Sequence, residues 1–339
     1  MAGIEAAGRY HRPLTAPGVW PGGWQVVELN PAHVTARRRV DGSGGVKTGR
    51  VDLAAIAGLL LVGRGLPVVA AGEALVELSA WAAHRRRRIE VRSAARNQLP
   101  GQLGRAFPGI TRALPGVLGT KAGRLVAAHL ADPARLARLG EDRFRAFAAH
   151  RGVRVPGVMA ARLVAAARAA IPLPEAPAAR QVLAAGLALL DDLDTQIGQA
   201  GARLAALLPA TEYAVLATVP GWGVVRVAAH AAACGPSARW APAAKICRAA
   251  GLTPVVCESA GRRRDGGISR EGSVHLRRAL LDLGTGLWLQ DLPARGYART
   301  LRERGKPGGI ITCALARRAS RIAFAMVRDQ APCDPARWR

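Results

Sequence analysis

Residues 24–71 read WQVVELNPAHVTARRRVDGSGGVKTGRVDLAAIAGLLLVGRGLPVVAA. Two short apolar runs, Trp24–Leu29 and Leu66–Ala71, flank a helical stretch at Asp52–Leu61, and a further helical stretch follows at Leu75–His84. Short apolar runs rich in β-branched residues suit buried strands, whereas longer Ala- and Leu-rich stretches suit helices. Their alternation predicts an α/β layer for residues 1–108. Beyond it, Arg85–Arg88 followed by Ile89–Val91 reads as a basic helix end running into a short strand, or else as a solvated face.

Working outward, residues 109–212 are rich in Ala, Leu and Arg, with prolines at the joints (Pro133, Pro156, Pro172, Pro174, Pro177), which predicts a helical region. Its last helix, from about Ala178 to Leu208, places Leu183, Leu187, Leu190, Ile197, Leu204 and Leu208 at alternating spacings of four and three, with Asp194 and Gly201 interrupting. That period supports a coiled coil through which chains self-associate. A core-facing helix within one chain would carry the same pattern. Residues 213–339 are predicted to be a helical domain broken by glycine loops. The expected fold class is therefore α/β plus all-α.

The charge narrows the partners. Lys and Arg number 49 against 23 Asp and Glu, a formal charge of +26, and the basic residues are spread along the chain, arginine supplying nearly all of them. A base-rich genome raises arginine and alanine together but does not explain the shortage of acids. A basic surface of this extent fits a protein that lies along a polyanion, here nucleic acid. Five cysteines, Cys234, Cys247, Cys257, Cys313 and Cys333, form no C-x-x-C pair and no zinc-type spacing with histidine, so they read as reduced thiols. No apolar run is long enough to span a bilayer and no signal peptide is evident, so a cytoplasmic, nucleoid-associated protein without a membrane partner is expected.

Residues 251–278, GLTPVVCESAGRRRDGGISREGSVHLRR, carry the chemistry. Ser259 is read in a glycine-rich loop with Arg262, Arg263 and Arg264 behind it. Arg270 follows, then a helix that starts near Ser273 and carries Arg277 and Arg278. A hydroxyl that must reach a phosphodiester needs little steric bulk and guanidinium forks to hold phosphate oxygens. Ser269 and Ser273 are the weaker nucleophile candidates, since a serine at a turn or helix start commonly serves as a cap. Upstream, Val219-Pro220-Gly221-Trp222-Gly223 opens a helix that stops at Gly235-Pro236. The P-G-x-G turn of a helix-hairpin-helix unit offers amides near Gly221 and Gly223 to a phosphate, although plain turns share the tetrapeptide.

Two blocks of residues then resemble the insertion-sequence-110 family of transposases, the recombinases guided by a bridge RNA. One runs from Val219–Gly223 through Gly251-Leu252-Thr253-Pro254, Ser259, Gly267–Gly272 and Leu276–Leu280 to Arg304-Gly305-Lys306-Pro307. The other is Gly3–His11 (GIEAAGRYH), Leu29-Asn30-Pro31 and Lys47-Thr48-Gly49-Arg50-Val51-Asp52. The resemblance implies a RuvC-like, ribonuclease-H-type amino-terminal domain whose four carboxylates hold Mg²⁺. It also implies a carboxy-terminal serine, Ser259 by position, that becomes covalently linked to DNA. Implied partners are double-stranded donor and target DNA, a guide RNA, and further copies of the chain as a homodimer or homotetramer.

The carboxylate pattern departs from the family's. Glu5 and Asp52 stand at two of the four metal positions, Gly49 occupies a third, and Asp41 is separated from the motif by a glycine-rich loop. The strand bearing the first aspartate, which precedes the Gly-x-Glu motif in the family, is expected to be missing, through a late start codon or decay of a mobile-element copy. Three readings follow: a recombinase, a catalytically degenerate protein that binds DNA or RNA without cleaving it, and a helix-hairpin-helix junction-binding factor.

Overall fold

A computed structural model describes residues 1–334 except Ala7, Arg9, Pro17, Ser43 and Gly44, and describes the backbone alone for Cys257, Arg263, Arg264, Asp265 and Leu292. Contacts group the chain into two compact units, residues 1–83 together with 202–339, and residues 84–201.

The first unit begins with β1 (Ala2–Glu5), β2 (Val26–Leu29), α1 (Pro31–Val40), α2 (Gly49–Leu61) and β3 (Leu66–Pro67). The strands form one sheet in the order β1-β2-β3. β1 runs parallel to β2 with Glu5 opposite Leu29, and β3 runs antiparallel with Leu66 opposite Glu28. Asn30 starts α1 by accepting a hydrogen bond from the Ala32 amide at 2.9 Å, with Pro31 in the first turn, where its missing N–H is not needed. Thr48 caps α2 in the same way through the Val51 amide. Leu29, Val34, Ala55 and Leu59 close a small core against one face of the sheet. At Gly3 an added Cβ would meet Ile56 Cγ2 and Leu60 Cδ1 at 3.0 Å, so α2 lies directly on β1. The mixed α/β character expected of the amino-terminal region is present. The predicted strand at Ile89–Val91 is not: α3 runs unbroken from Glu73 to Ala106. β-branched residues lower helix propensity by less than about 0.7 kcal/mol each, and the surrounding Ala, Arg, Glu and Gln outweigh two of them.

The second unit holds the 84–106 part of α3, α4 (Ile110–Ala113), α5 (Lys121–His129), α6 (Pro133–His150, broken at Gly140), α7 (Gly157–Arg168) and the 176–201 part of α8 (Ala176–Leu207). Leu99, Leu103, Phe107, Leu136, Phe144, Leu163 and Leu183 are among its buried core. The seam expected on α8 is buried within the chain. In this unit Leu183, Leu187, Leu190 and Ile197 are covered, and Gly186 lets Leu99 of α3 approach so closely that a Cβ there would sit 2.3 Å from its Cδ2. Asp194, the polar break in the seam, accepts from Arg92 at 2.7 Å and Arg124 at 3.1 Å, which hold its carboxyl below the usual range. The apolar period is present, and the partner that covers it is a helix of the same chain.

The rest of the first unit is α9 (Val224–Cys234), α10 (Ala244–Ala249), β4 (Pro254–Ser259), β5 (Arg262–Ile268), α11 (Val274–Gln290), α12 (Leu292–Glu303) and α13 (Gly308–Asp329). The expectation of helices with glycine loops is corrected by the antiparallel β4–β5 hairpin. Leu276, Leu280, Leu283 and Leu287 form the predicted buried stripe of α11, packed with Trp222, Leu315 and Ala316. This part docks onto the sheet: Arg239 donates to Glu28 Oε2 at 2.7 Å and to the Pro67 carbonyl at 3.1 Å.

His230 is buried in the same core, against Tyr213 (ring centroids 5.9 Å apart) and Cys234 Sγ, 3.6 Å from Nε2. Burial pushes the imidazole down to about 4 and the Cys234 thiol up to about 12. An unfolded histidine titrates near 6.5. Between pH ~6.5 and ~4 the unfolded chain therefore takes up a proton that the folded chain refuses, and stability falls with pH through that window by about 3 kcal/mol. His230→Gln is expected to flatten that part of the stability curve, measured by urea midpoints at neutral and acid pH. A slope identical to the wild type's would assign the acid sensitivity elsewhere.

Candidate active site

Ser259 is the last residue of β4 and lies directly opposite Arg262 of β5. Between them Ala260 (φ 50°) and Gly261 (φ 74°) form a two-residue loop with both backbones in the left-handed region, the type I′ turn favoured in hairpins. The glycine-rich loop read from the sequence is thus a hairpin tip, and it presents the Ser259 side chain to solvent. Glu258, opposite Arg263 in the ladder, is also exposed. Arg262, Arg270 and Arg278 are exposed; the side chains of Arg263 and Arg264 lie outside the described residues.

The base of the hairpin is locked to the helices on either side. Ser269 N donates to the Thr253 carbonyl, Arg270 N to Gly251, and Ser273 N to Ala249 at 2.7 Å. Gly251 (φ 63°) has no room for a Cβ, which would lie 2.8 Å from the Arg270 carbonyl carbon and 2.9 Å from Arg277 Nη1. Arg277 Nη1 donates to the Ala250 carbonyl at 2.9 Å and to Arg270 at 3.3 Å, tying the end of α10 to the start of α11. Ser273 caps α11 by accepting from Leu276 N, as a serine at a helix start commonly does.

The Pro220–Gly223 turn packs against α11. Gly221 (φ 86°) lies so close to Gly286 that a Cβ would stand 2.2 Å from its carbonyl oxygen, and the Trp222 indole donates to the Leu283 carbonyl at 2.9 Å. Gly223 is exposed and forms the N-cap of α9 without a side-chain cap, and its surroundings leave open space. A 3-10 turn at Ala214–Thr218 precedes it where a helix-hairpin-helix unit would place a full helix.

In the amino-terminal layer, Glu5 shares the face of β1 that Gly3 presents to α2, and Asp52 lies one turn before Ile56 on α2. Asp52 is engaged by Arg38, whose side chain is 12% exposed against 22% for the carboxylate, and Arg38 also donates to Thr35 Oγ1 at 3.0 Å. Nothing in the Arg37–Arg39 run singled out this arginine, because the pairing depends on how α1 lies across α2. Among the described residues no group of three or more His, Cys, Asp or Glu could hold a metal ion. A hard divalent cation wants several oxygen ligands and net negative charge. Glu5 and a guanidinium-bound Asp52, with Gly49 at the third motif position, do not fit one.

Two predictions follow from this pair. Arg38→Ala and Asp52→Ala should each destabilise the protein by about 2 kcal/mol, and the double variant by little more than either, because removing one charge strands the other. Adding Mg²⁺ or EDTA should leave the melting temperature within about 1 °C, since only a bound ligand shifts it. A Mg²⁺-dependent rise of several degrees would mean that the carboxylates do gather around an ion.

Two family models match the chain. Residues 1–108 match the model of DEDD-type IS110 transposases, described as "Transposase", and residues 213–287 match "Transposase IS116/IS110/IS902 family". The chain is also 31% identical over 214 residues to "Insertion element IS900 uncharacterized 42 kDa protein" of Mycobacterium paratuberculosis, an alignment covering 60% of this chain and 52% of that protein. The chain thus spans about half the length of the curated relative it matches. The DEDD-type match points to divalent-metal use in the family, and no helix among the described residues is long and apolar enough to cross a membrane. With both blocks matched in order along one chain, the protein belongs to the IS110 family of transposases.

Proposed function

We propose that this chain acts on DNA as the recombinase of an insertion element, with Ser259 as its nucleophile. The observation that carries the reading is the exposed serine at a hairpin tip whose base is pinned to α10 and α11. Ser259 Oγ attacks a backbone phosphorus. An O–P bond forms, the bond to one deoxyribose oxygen breaks, and that oxygen leaves as a hydroxyl. The phosphoserine link keeps the phosphodiester's energy, so a hydroxyl from another strand can reverse the step without ATP. Arg262, Arg270 and Arg278 hold phosphate oxygens, joined by Arg263 and Arg264. Arg277 serves as a positioning residue through the carbonyls it already binds. The amides at Gly223 and the start of α9 receive a further phosphate.

On this reading residues 1–108 are a RuvC-like domain, 109–212 a helical connector and 213–339 the serine-bearing domain, with donor and target DNA as substrates and a guide RNA choosing the sites. A homodimer or homotetramer would have to assemble through surfaces other than the α8 seam, which α3 covers. A second reading is favoured by one observation, the Arg38–Asp52 pair where a metal ligand would stand. It makes the chain a binder of DNA or RNA that does not cut. Incubating the protein with Mg²⁺, guide RNA and both DNA sites, then running a denaturing gel, separates the two. A covalent protein–DNA band supports the recombinase. A shifted native band with no covalent species supports the binder.

A further inference from the structure

At the corner between α11 and α12, Trp288 and Leu289 are exposed (43% and 42%), in a helix whose other face is deeply buried. They line a concave site of about 320 Å³ together with Arg295, Ala298, Arg299 and Arg302. A bare indole is uncommon on a soluble surface and is informative where charge surrounds it. The three arginines fall at i, i+4 and i+7 of α12 and so form one stripe beside the ring. Arg295 is held: its Nε donates to the Trp288 carbonyl at 3.0 Å and its Nη2 to that of Leu289, which caps the end of α11 and fixes the corner. Arg299 and Arg302 are exposed and pair with no acid among the described residues.

We infer that this corner is a binding site for single-stranded DNA, in which Trp288 stacks on an unpaired base while Arg299 and Arg302 hold the phosphates flanking it. A flat, exposed aromatic ring bordered by free guanidiniums is the arrangement that binds unpaired nucleotides with little regard to sequence, because every base offers a π face. Duplex bases are already stacked and cannot reach the ring. A second copy of this chain, itself carrying +26, would bring like charge to the arginines and is disfavoured as the occupant. The choice of DNA rests on the recombinase reading, since strand exchange must expose unpaired nucleotides.

The test measures equilibrium binding of the full chain to an oligothymidylate of about a dozen nucleotides, to the matching oligouridylate and to a duplex of equal length. Trp288→Ala is expected to weaken oligothymidylate binding about tenfold, Trp288→Phe to restore most of the loss, and duplex affinity to change less than about twofold. Arg299→Gln with Arg302→Gln should lower the salt slope for the single strand by about 1.4, two phosphates at ~0.7 each. Equal losses for single strand and duplex, a Phe variant as weak as Ala, or a loss confined to RNA would each overturn the site. A wild-type chain that bound no DNA of either kind would instead overturn the DNA-recombining reading, so the two failures are distinguishable.

Discussion

Ser259→Ala is expected to abolish the covalent protein–DNA species, slowing strand cleavage by at least about a thousandfold, while leaving native-gel DNA binding within about twofold. The split follows from where the residue lies. Its side chain is exposed at the end of β4, the neighbouring loop residues carry the backbone strain, and the hydrogen bonds that tie the hairpin to α10 and α11 come from its base. Deleting one hydroxyl there removes a nucleophile without opening a cavity. Ser273→Ala is the matched control. It removes the α11 cap, so about 1 kcal/mol of stability should go while any adduct persists. An adduct that survives in Ser259→Ala and vanishes in Ser269→Ala would move the chemistry to the other end of the hairpin.

Gly221→Ala should destabilise the protein by about 4 kcal/mol and Gly286→Ala by about 3 kcal/mol, because each forces a methyl into backbone and the first also imposes a left-handed conformation on a Cβ. The new carbon would stand 2.2 Å from the Gly286 oxygen in one case and 2.5 Å from the Gly221 oxygen in the other. Neither neighbour is a side-chain tip that could swing away. Urea midpoints would show the loss directly, and a cost below about 1 kcal/mol in both would mean that the turn and α11 are not in backbone contact. Gly223→Ala meets open space at φ −66° and should leave folding nearly unchanged. If it nonetheless weakens DNA binding, the start of α9 touches phosphate.

What could be read in the sequence and what could not divides along physical lines. The Leu276–Leu287 stripe and the α8 seam were legible because helical periodicity is a local property of the chain. What covers the seam was not, since a Leu at period 3.5 is the same whether the opposing helix belongs to this molecule or another. The hairpin was not legible because its returning strand, Arg262–Ile268, is mostly arginine, aspartate and glycine without an alternating apolar pattern, and the Ala260–Gly261 turn sets its register. Ile89 and Val91 misled in the opposite direction. Ser259 was legible as a candidate from the glycines and arginines around it, while its place at the end of a strand was not. The Arg38 contact to Asp52, fourteen positions away, depends on a helix crossing, and that of Arg295 to the end of α11 on the bend between α11 and α12; no short motif encodes either.

The interleaving of the two units sets an order of events during synthesis. Residues 1–83 emerge first and can lay α2 on β1, yet the arginine that binds Glu28 and the Pro67 carbonyl lies beyond residue 201. Glu28 must wait for Arg239, 211 positions later, a delay of about 10–40 s at ribosomal speeds of about 5–20 residues per second. Meanwhile residues 84–201 can close on themselves as soon as they leave the exit tunnel. The nascent chain therefore carries a sheet whose Glu28 still lacks its partner ahead of a finished helical bundle, and chaperone depletion or hurried translation should lower soluble yield through those first strands rather than through the bundle.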